Sequence, residues 1–288
     1  MNKIPRPNID DGSVLLRLAN NRRAGSYPHL LASFGAIQQA YAQYENAAGN
    51  AFAVAAVGIP QLTEAYLKAH YKSPPKDLAH ITALRLSGEH LICPMCGSSH
   101  RGTLDHLLPQ DSHGVFAVFS LNLVPACKCN SLRQELLIGP NPGERILHPY
   151  FDDCLSKRLV KAKISDLGPV PKISLDLCVN HNHPEFSAIA FHVRSIVQRT
   201  PVTGFLIHRW ANFCRQPSLI VRALETNPPS YNALKRILLK ELRLLDDVHG
   251  GRNNWYSMFI AGLLDRTVLT WLHLQFQIPG RMADAPLI

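Results

Sequence analysis

Three short stretches decide how the middle of this chain folds: CPMC at residues 93–96, LDHLLP at residues 104–109 and NLVPACKCN at residues 122–130. In order, they place a cysteine pair, an Asp–His pair, an asparagine, a second cysteine pair and a final asparagine. An isolated Asp–His dipeptide carries little information, and an asparagine near a cysteine is usually a cap or a turn residue. The joint order and spacing are informative, because fifteen residues separate His106 from Asn122 and seven separate Asn122 from Asn130.

The cysteine pairs have the spacing of metal ligands. The chain has seven cysteines, an odd number, and its first residues contain no apolar stretch of the kind that directs export. In a reducing compartment, paired cysteines around a turn favour metal ligation over a disulfide framework. We therefore predict a structural zinc site with four ligands: Cys93, Cys96, Cys127 and Cys129.

The second cysteine pair departs from the usual spacing. Cys127-Lys128-Cys129 is one residue shorter than the first pair, so both thiolates reach one ion only with a changed backbone. The alternative is a three-cysteine site completed by a nearby side chain, for which His100 is the nearest candidate in the sequence. The other cysteines are predicted to be ordinary core thiols: Cys154, Cys178 and Cys214.

The composition indicates a globular protein with a basic surface. The 288 residues, 46% of them apolar, are enough for one large or two small domains with a substantial core. The formal net charge of +9 suits a polyanionic partner such as nucleic acid, but it specifies neither fold nor reaction. The apolar stretch 255–278 contains Asp265 and Arg266, so a buried or partner-facing helix is expected there rather than a membrane span. We expect a cytoplasmic protein.

Helical patterns flank the cysteine-rich stretch on both sides. Helices are predicted over residues 29–48, 60–71, 76–86 and 231–248. In the middle of the chain, residues 115–124 suit one arm of a hairpin, residues 131–137 suit a helix, and residues 160–178 suit one or two strands. Nine Lys/Arg against two Glu lie between Phe191 and Leu245. That basic face is either simply solvated or a nucleic-acid contact.

The predicted fold class is α+β and predominantly helical, with three regions. Residues 1–90 form a helical region that is a candidate for partner docking. Residues 91–155 contain the motif and the zinc lobe. Residues 156–288 are mixed, then helical and basic.

The motif order resembles the HNH, or ββα-metal, nucleases, in which a β-hairpin presents Asp and His and the next helix presents Asn. The resemblance implies that Asp105 and Asn130 bind a catalytic Mg²⁺ or Mn²⁺ ion, Asn130 through its amide oxygen. It implies that His106 is the general base and that Asn122 orders the hairpin loop through bonds to backbone groups. Neighbouring strand residues point to opposite faces, so Asp105 and His106 share one site only if the strand end is distorted or the hairpin curls.

A longer string of matches resembles the HNH nucleases that are encoded beside SMC/OLD-like ATPases in bacterial anti-phage systems of the Septu type and their retron-linked relatives. The string consists of CPMCG, LDHLLPQ, FAVFSLNLVPACKCNSLR and HPYFD. This resemblance is specific over residues 93–152 and loose elsewhere. It implies a DNA endonuclease that is the effector of a defence complex and is restrained by an ATPase partner. Residues 29–48 and 255–278 are then either docking faces or buried core.

Two residues near the motif have open roles. Arg133 stands where a lysine is common in that family, and it keeps the charge for either a phosphate contact or a supporting contact. His148, in HPYFD, either faces the site as a phosphate or supporting contact or packs within its turn.

Two other functions remain open. A one-metal site contacts phosphate and does not require deoxyribose, so the first alternative is an RNase directed at tRNA. The second is a zinc-stabilised adaptor for the ATPase without catalytic activity, which the intact Asp105, His106 and Asn130 argue against.

Overall fold

The computed structural model describes residues 1–86, 92–99 and 102–288, and helices dominate on either side of two small antiparallel sheets. The predicted α+β, predominantly helical class is therefore confirmed. The N-terminal part consists of α1 (Asp11–Asn20), α2 (His29–Asn46), α3 (Gln61–Lys72) and α4 (Ala79–Leu86). The last three match the predicted helices, and a 3-10 turn at Lys76–Leu78 leads into α4.

The middle of the chain forms a hairpin followed by a short helix. Strands β1 (Thr103–His106) and β2 (Leu123–Ala126) pair antiparallel, with Asp105 opposite Val124, and α5 (Cys129–Leu132) follows β2. The helix predicted over residues 131–137 is thus earlier and shorter. It stops because Gln134 adopts a left-handed backbone conformation, with φ of 56°.

The extended arm predicted over residues 115–124 is wrong for most of its length. Two 3-10 turns, Gly114–Phe116 and Ser120–Asn122, occupy this stretch, and the strand begins only at Leu123. The residues are apolar because the loop is buried against α2, where Phe119 stacks on Tyr41 with ring centroids 4.1 Å apart. Apolar runs of this length do not distinguish a strand from a buried loop.

The C-terminal part begins with a second hairpin and continues as helices. Its elements are β3 (Val160–Ser165), β4 (Lys172–Leu177), α6 (Phe186–His192), α7 (Val202–Arg215), α8 (Tyr231–Val248), α9 (Trp255–Leu263) and α10 (Arg266–Phe276). The bounds of α8 agree with the prediction, and Leu234 and Leu238 of its leucine stripe are fully buried.

Helix α9 is part of the core. Its Gly262 lies against β3 so closely that a Cβ atom there would be 2.6 Å from the carbonyl oxygen of Ala162. The buried-core interpretation of the apolar stretch is therefore confirmed for α9, whereas α10 leaves Leu274 60% exposed. Within the described residues, no helix combines the length and the apolar character that crossing a bilayer requires.

The three predicted regions pack on one continuous hydrophobic core rather than on separate ones. The start of α9 contacts the first cysteine pair through the Trp255 indole Nε1, which donates to the Cys96 carbonyl oxygen at 2.9 Å. Gly97, with φ of 81°, lets the segment before α9 pack closely against the cysteine pair, since a Cβ atom at Gly97 would lie 2.0 Å from the Asn253 carbonyl oxygen.

A buried carboxylate fixes the loop that leads into β2. Asp11, at the start of α1, accepts hydrogen bonds from the Ser120 backbone N–H at 3.0 Å and from its hydroxyl at 2.5 Å. Ser120 opens the 3-10 turn that ends at Asn122. Burial raises the pKa of Asp11 to about 6, against the hydrogen bonds from Ser120 that lower it.

We predict that Asp11→Asn stabilises the protein above about pH 6 and gives no such gain at about pH 4. The raised pKa means that the folded state favours the neutral carboxyl, so wild-type stability falls as pH rises from the unfolded pKa of 3.8 to about 6. Asparagine keeps an acceptor for Ser120 without ionising. Above about pH 6, the free energy of unfolding of Asp11→Asn is therefore expected to exceed that of wild type by on the order of 2–3 kcal/mol. Urea unfolding at both pH values measures it.

The control for this experiment is Asp10→Asn. Asp10 is exposed, caps α1 by accepting from Ser13, and has a lowered pKa because of that hydrogen bond. Asparagine is an equally good cap, so this variant should show no gain at high pH. An Asp11→Asn variant with the same pH profile as wild type would contradict the expectation.

Candidate functional site

The four cysteines of the two pairs converge on one point. All four Sγ atoms lie within 4.8 Å of one another, with Cys93 and Cys129 at 3.6 Å and Cys96 and Cys127 at 3.5 Å. Four thiolates in a tetrahedron around zinc, with Zn–S bonds of about 2.3 Å, lie about 3.8 Å apart. The cluster can therefore hold a metal ion such as zinc.

The short second pair reaches the cluster because its backbone turns at the start of α5. Lys128 has helical dihedral angles, φ of −56° and ψ of −10°, and the Cys129 N–H donates to Cys127 Sγ at 3.4 Å. The side chains of Cys129 and Cys93 hold the pKa of the Cys127 thiol below its ordinary value. The alternative ligand, His100, lies outside the described residues.

The remaining cysteines differ from one another. Cys154 and Cys214 are buried, as predicted, but Cys178 is exposed, so its prediction as a core thiol is wrong. Cys178 directly follows the last residue of β4, where the strand leaves the core.

Asn130 contacts both members of the Asp–His pair. Its Nδ2 donates to Asp105 Oδ2 and to the His106 carbonyl oxygen, both at 2.9 Å. Asp105 is half-buried in β1, whereas His106 and Asn130 are buried. The hairpin and α5 therefore place the three motif residues side by side.

The orientation of the Asn130 amide differs from the expected one. Its Oδ1 accepts from Arg133 Nε at 2.7 Å, so the amide nitrogen rather than the oxygen faces Asp105. If the amide were rotated by half a turn, its NH₂ group would face the Arg133 Nε–H, and both groups are donors. Metal ligation through Oδ1 thus requires a rearrangement around Arg133.

The His106 ring is held from two sides. Its Nε2 lies 2.8 Å from the Ala117 carbonyl oxygen, which accepts only, so Nε2 carries the proton and Nδ1 keeps its lone pair. The Tyr71 ring packs on it with centroids 4.2 Å apart. Burial lowers the pKa of His106, with the Ala117 hydrogen bond acting in the opposite direction. The ring is therefore neutral at physiological pH, and among the described residues no group bonds its Nδ1.

Asn122 ties the hairpin loop together. Its Oδ1 accepts from the Leu108 N–H at 2.8 Å, and its Nδ2 donates to the carbonyl oxygens of Leu108 at 3.1 Å and Phe116 at 3.3 Å. The Tyr44 hydroxyl, from α2, donates to the same Oδ1 at 3.2 Å. These bonds to backbone groups are the ones expected of a residue that orders the loop.

Arg133 is buried, with 1% of its surface exposed. A guanidinium has five N–H donors, and here they bond the Asn130 amide and four carbonyl oxygens: those of His106, Leu107, Gln134 and Leu136. Burial lowers its pKa to about 10, so it stays charged at neutral pH. Of the two roles predicted for Arg133, the phosphate contact is wrong, because all five donors are used and the side chain does not reach the surface, whereas the supporting contact agrees with its bond to Asn130. Its role is to hold Asn130.

His148 is also internal. Its Nδ1 accepts from the Tyr150 N–H at 3.2 Å, and its Nε2 lies 3.1 Å from the Leu121 carbonyl oxygen and 3.0 Å from the Tyr44 hydroxyl. Burial lowers its pKa to about 3. A direct phosphate contact by His148 is wrong for this fully buried ring, and its place is in the packing of its turn.

A cleft of about 610 Å³ lies between the cysteine cluster and residues Thr200 and Pro201, just before α7, and reaches Asp105. Lys128, Ser131 and Thr200 contribute polar groups to it, and Leu132 contributes apolar surface. The sequence did not predict this cleft, nor the contacts of Tyr44 and Tyr71 with the motif. Both tyrosines lie on helices far from the motif in sequence, and no local pattern distinguishes them from core aromatics.

No family model and no solved structure matches the chain. Protein Ea31 of Escherichia phage lambda is 32% identical over 83 residues, which cover 28% of this chain and 27% of Ea31. The chain therefore matches about a quarter of the length of that curated relative.

We predict that the purified protein contains about one zinc ion per chain. Cys93→Ser and Cys96→Ser should each lower both the zinc content and the free energy of unfolding, because metal binding and folding share one free energy. Elemental analysis beside thermal unfolding measures both. Cys178→Ser removes an exposed thiol outside the cluster and should change neither. Wild-type protein that folds without zinc would contradict the prediction.

A second prediction compares the two cysteines of the short pair. Because both thiols reach the cluster, Cys127→Ser and Cys129→Ser should lose similar amounts of zinc. Cys129 precedes Asn130, so its loss should displace that amide more and cost more of the activity proposed below. Equal zinc loss would establish four-cysteine binding, whereas zinc loss from one variant alone would favour three cysteines.

Arg133→Lys is expected to destabilise the protein by about 2–4 kcal/mol, despite keeping the charge. A lysine ammonium cannot bond the Asn130 amide and the surrounding carbonyl oxygens together, and unpaired buried polar groups are costly. Urea unfolding measures the loss. The control is Arg199→Lys, an exposed arginine with one bond to the Leu132 carbonyl oxygen, which should lose little. If both variants lost the same free energy of unfolding, the buried hydrogen bonds of Arg133 would not contribute to stability.

Proposed function

We propose that the chain is a metal-dependent endonuclease of the HNH, or ββα-metal, type that hydrolyses phosphodiester bonds in DNA. The observation that carries the proposal is the contact of Asn130 with Asp105 Oδ2 and with the His106 carbonyl oxygen, both at 2.9 Å. The Asp and His come from a hairpin and the Asn from the next helix, which is the order that the sequence resemblance implies.

In the proposed reaction, His106 removes the proton of the attacking water. Its Nε2 is committed to the Ala117 carbonyl oxygen, so Nδ1 is the nitrogen with a free lone pair. The lowered pKa keeps this nitrogen unprotonated at neutral pH. Tyr71 on one side and the hydrogen bond on the other fix the ring, which is what a positioned base requires.

Asp105 is the residue best suited to hold the catalytic ion. Its carboxylate is half-buried and lines the open cleft, and hard oxygen ligands suit Mg²⁺ or Mn²⁺. Asn130 adds an oxygen ligand only if its amide turns away from Arg133. A divalent ion bound there would offset the charge that develops on the phosphate and on the leaving oxygen.

The partner belongs to the same proposal. On the resemblance to the Septu-type and retron-linked nucleases, we propose that the chain is the effector subunit of an anti-phage complex with an SMC/OLD-like ATPase and works in the cytoplasm. The similarity to phage protein Ea31 covers about a quarter of either chain and adds no activity to this proposal.

His106→Ala and Asp105→Ala are each expected to abolish Mg²⁺- or Mn²⁺-dependent cleavage while leaving zinc content unchanged. Loss of a general base typically costs about 10²–10⁴-fold in rate. The measurement is cleavage of plasmid DNA and of total tRNA, with and without the ATPase, beside elemental analysis. Cleavage of tRNA alone would favour the RNase alternative.

The matched control is His208→Ala, an exposed histidine on α7. It should cut at the wild-type rate. A His106→Ala variant that also cuts at that rate would remove the assignment of the base. If zinc were lost from Asp105→Ala, the two metal sites could not be separate.

A further inference from the structure

Tyr71 and Arg85 form a stack with His106 that the sequence motif does not include. Tyr71, in the last turn of α3, packs on the His106 ring with centroids 4.2 Å apart and planes tilted by 60°. The guanidinium carbon of Arg85, near the end of α4, lies 4.6 Å from the centroid of the Tyr71 ring. One phenol ring therefore contacts both the candidate base and a cation.

Hydrogen bonds hold this stack in place. The Tyr71 hydroxyl donates to the Leu104 carbonyl oxygen at 2.5 Å, which fixes the ring to β1 one residue before Asp105. Arg85 Nη2 donates to the Tyr71 carbonyl oxygen. The position of the guanidinium beside the hairpin is thus set by the same residue that positions His106.

Arg85 differs from Arg133 in the features that decide what an arginine can bind. Arg133 is buried and uses all five donors inside the protein. Arg85 is exposed, and among the described residues its side chain donates to one acceptor, the Tyr71 carbonyl oxygen, and no carboxylate forms an ion pair with it. Its guanidinium stacks on the Tyr71 ring, and a guanidinium presents donors in the geometry of a phosphate.

We propose that Arg85 binds the phosphate that is cut, and that Tyr71 is the positioning residue that fixes Arg85 and His106 relative to each other. The inference rests on the proposed nuclease function. It assigns a role at the site to the N-terminal helices, outside the motif of residues 93–130. A cation at this place stabilises the negative charge that builds up on the phosphate during attack.

The test measures single-turnover cleavage and nucleic-acid binding by the 288-residue chain, with and without the proposed ATPase partner. Arg85→Ala is expected to cut about 10²-fold more slowly at saturating substrate, and Arg85→Lys to recover part of the rate. Added guanidinium ion should restore activity to Arg85→Ala but not to His106→Ala. Binding is measured with Ca²⁺ in place of Mg²⁺, as a plot of log K against log salt concentration. Because Arg85→Ala loses one phosphate contact, the slope of that plot should be about 0.9 less steep than for wild type.

Arg266→Ala is the matched control, since it removes an exposed arginine from the start of α10. It should change neither the cleavage rate at saturation nor the response to guanidinium. Thermal unfolding of each variant separates a loss of folding from a loss of function.

The role of Tyr71 is tested by a double-mutant cycle. Tyr71→Phe keeps the stacked ring but loses the bond to the Leu104 carbonyl oxygen, so it should lose less activity than Tyr71→Ala. Tyr71→Ala should slow cleavage, and adding Arg85→Ala to it should cost much less than Arg85→Ala costs alone, because the two residues act as a unit. Additive losses would show that Tyr71 does not position Arg85.

The outcomes separate this inference from the function on which it rests. If wild type cuts nucleic acid and Arg85→Ala cuts at the same rate with the same salt dependence, the role of Arg85 is overturned and the nuclease remains. If Arg85→Ala is slow but neither lysine nor guanidinium recovers it while the protein stays folded, the phosphate contact is overturned. A wild-type protein that cuts neither DNA nor RNA with its ATPase overturns both.

Discussion

The position of Asn130 depends on the buried guanidinium of Arg133. Helix α5 has four residues, too few for its own hydrogen bonds to stabilise it. Arg133 compensates by bonding the Asn130 amide on one side and the carbonyl oxygens of His106 and Leu107, at the end of β1, on the other. Burying a charge is costly unless its donors are all bonded, and here they are. The contact between Asn130 and Asp105 follows from this, because the hairpin end and α5 are held by one group.

The cysteine cluster constrains the same short helix from its other end. Cys129 and Asn130 are consecutive, so the thiol that joins the cluster and the amide that contacts Asp105 share one backbone segment. Trp255 in turn bonds the Cys96 carbonyl oxygen and connects the cluster to the buried helix α9. A metal ion bound by the cysteines would therefore stabilise the geometry around Asp105 without contacting it. The cysteine cluster and the residues around Asp105 do not overlap, but both are held by the backbone of α5.

Residues close in sequence were predictable and residues brought together by tertiary packing were not. Helices α2 to α4, the bounds of α8 and the convergence of four cysteines follow from local patterns of periodicity and spacing, whereas α1 was not predicted. The loop before β2 was predicted as a strand because buried apolar residues such as Phe116 and Phe119 look alike in strands and in buried turns. Arg133 was expected to contact a phosphate or to support the site, because it keeps the charge of the lysine that is common at this position in the similar family. Nothing in the sequence indicates that five acceptors surround it.

The N-terminal helices contribute side chains to the candidate site. Tyr44 on α2 bonds Asn122 and His148, so it connects the loop before β2 to the turn that follows the motif. Tyr71 on α3 packs on His106 and bonds the strand that carries Asp105. Residues 93–130 alone would lack both contacts, and the His106 ring would keep only its bond to the Ala117 carbonyl oxygen. A base held by one hydrogen bond samples more orientations than one that is also packed against a ring, and positioning is what catalysis requires of it. The motif therefore supplies the groups that the proposed reaction needs, and the helices before it supply contacts that restrict their orientation.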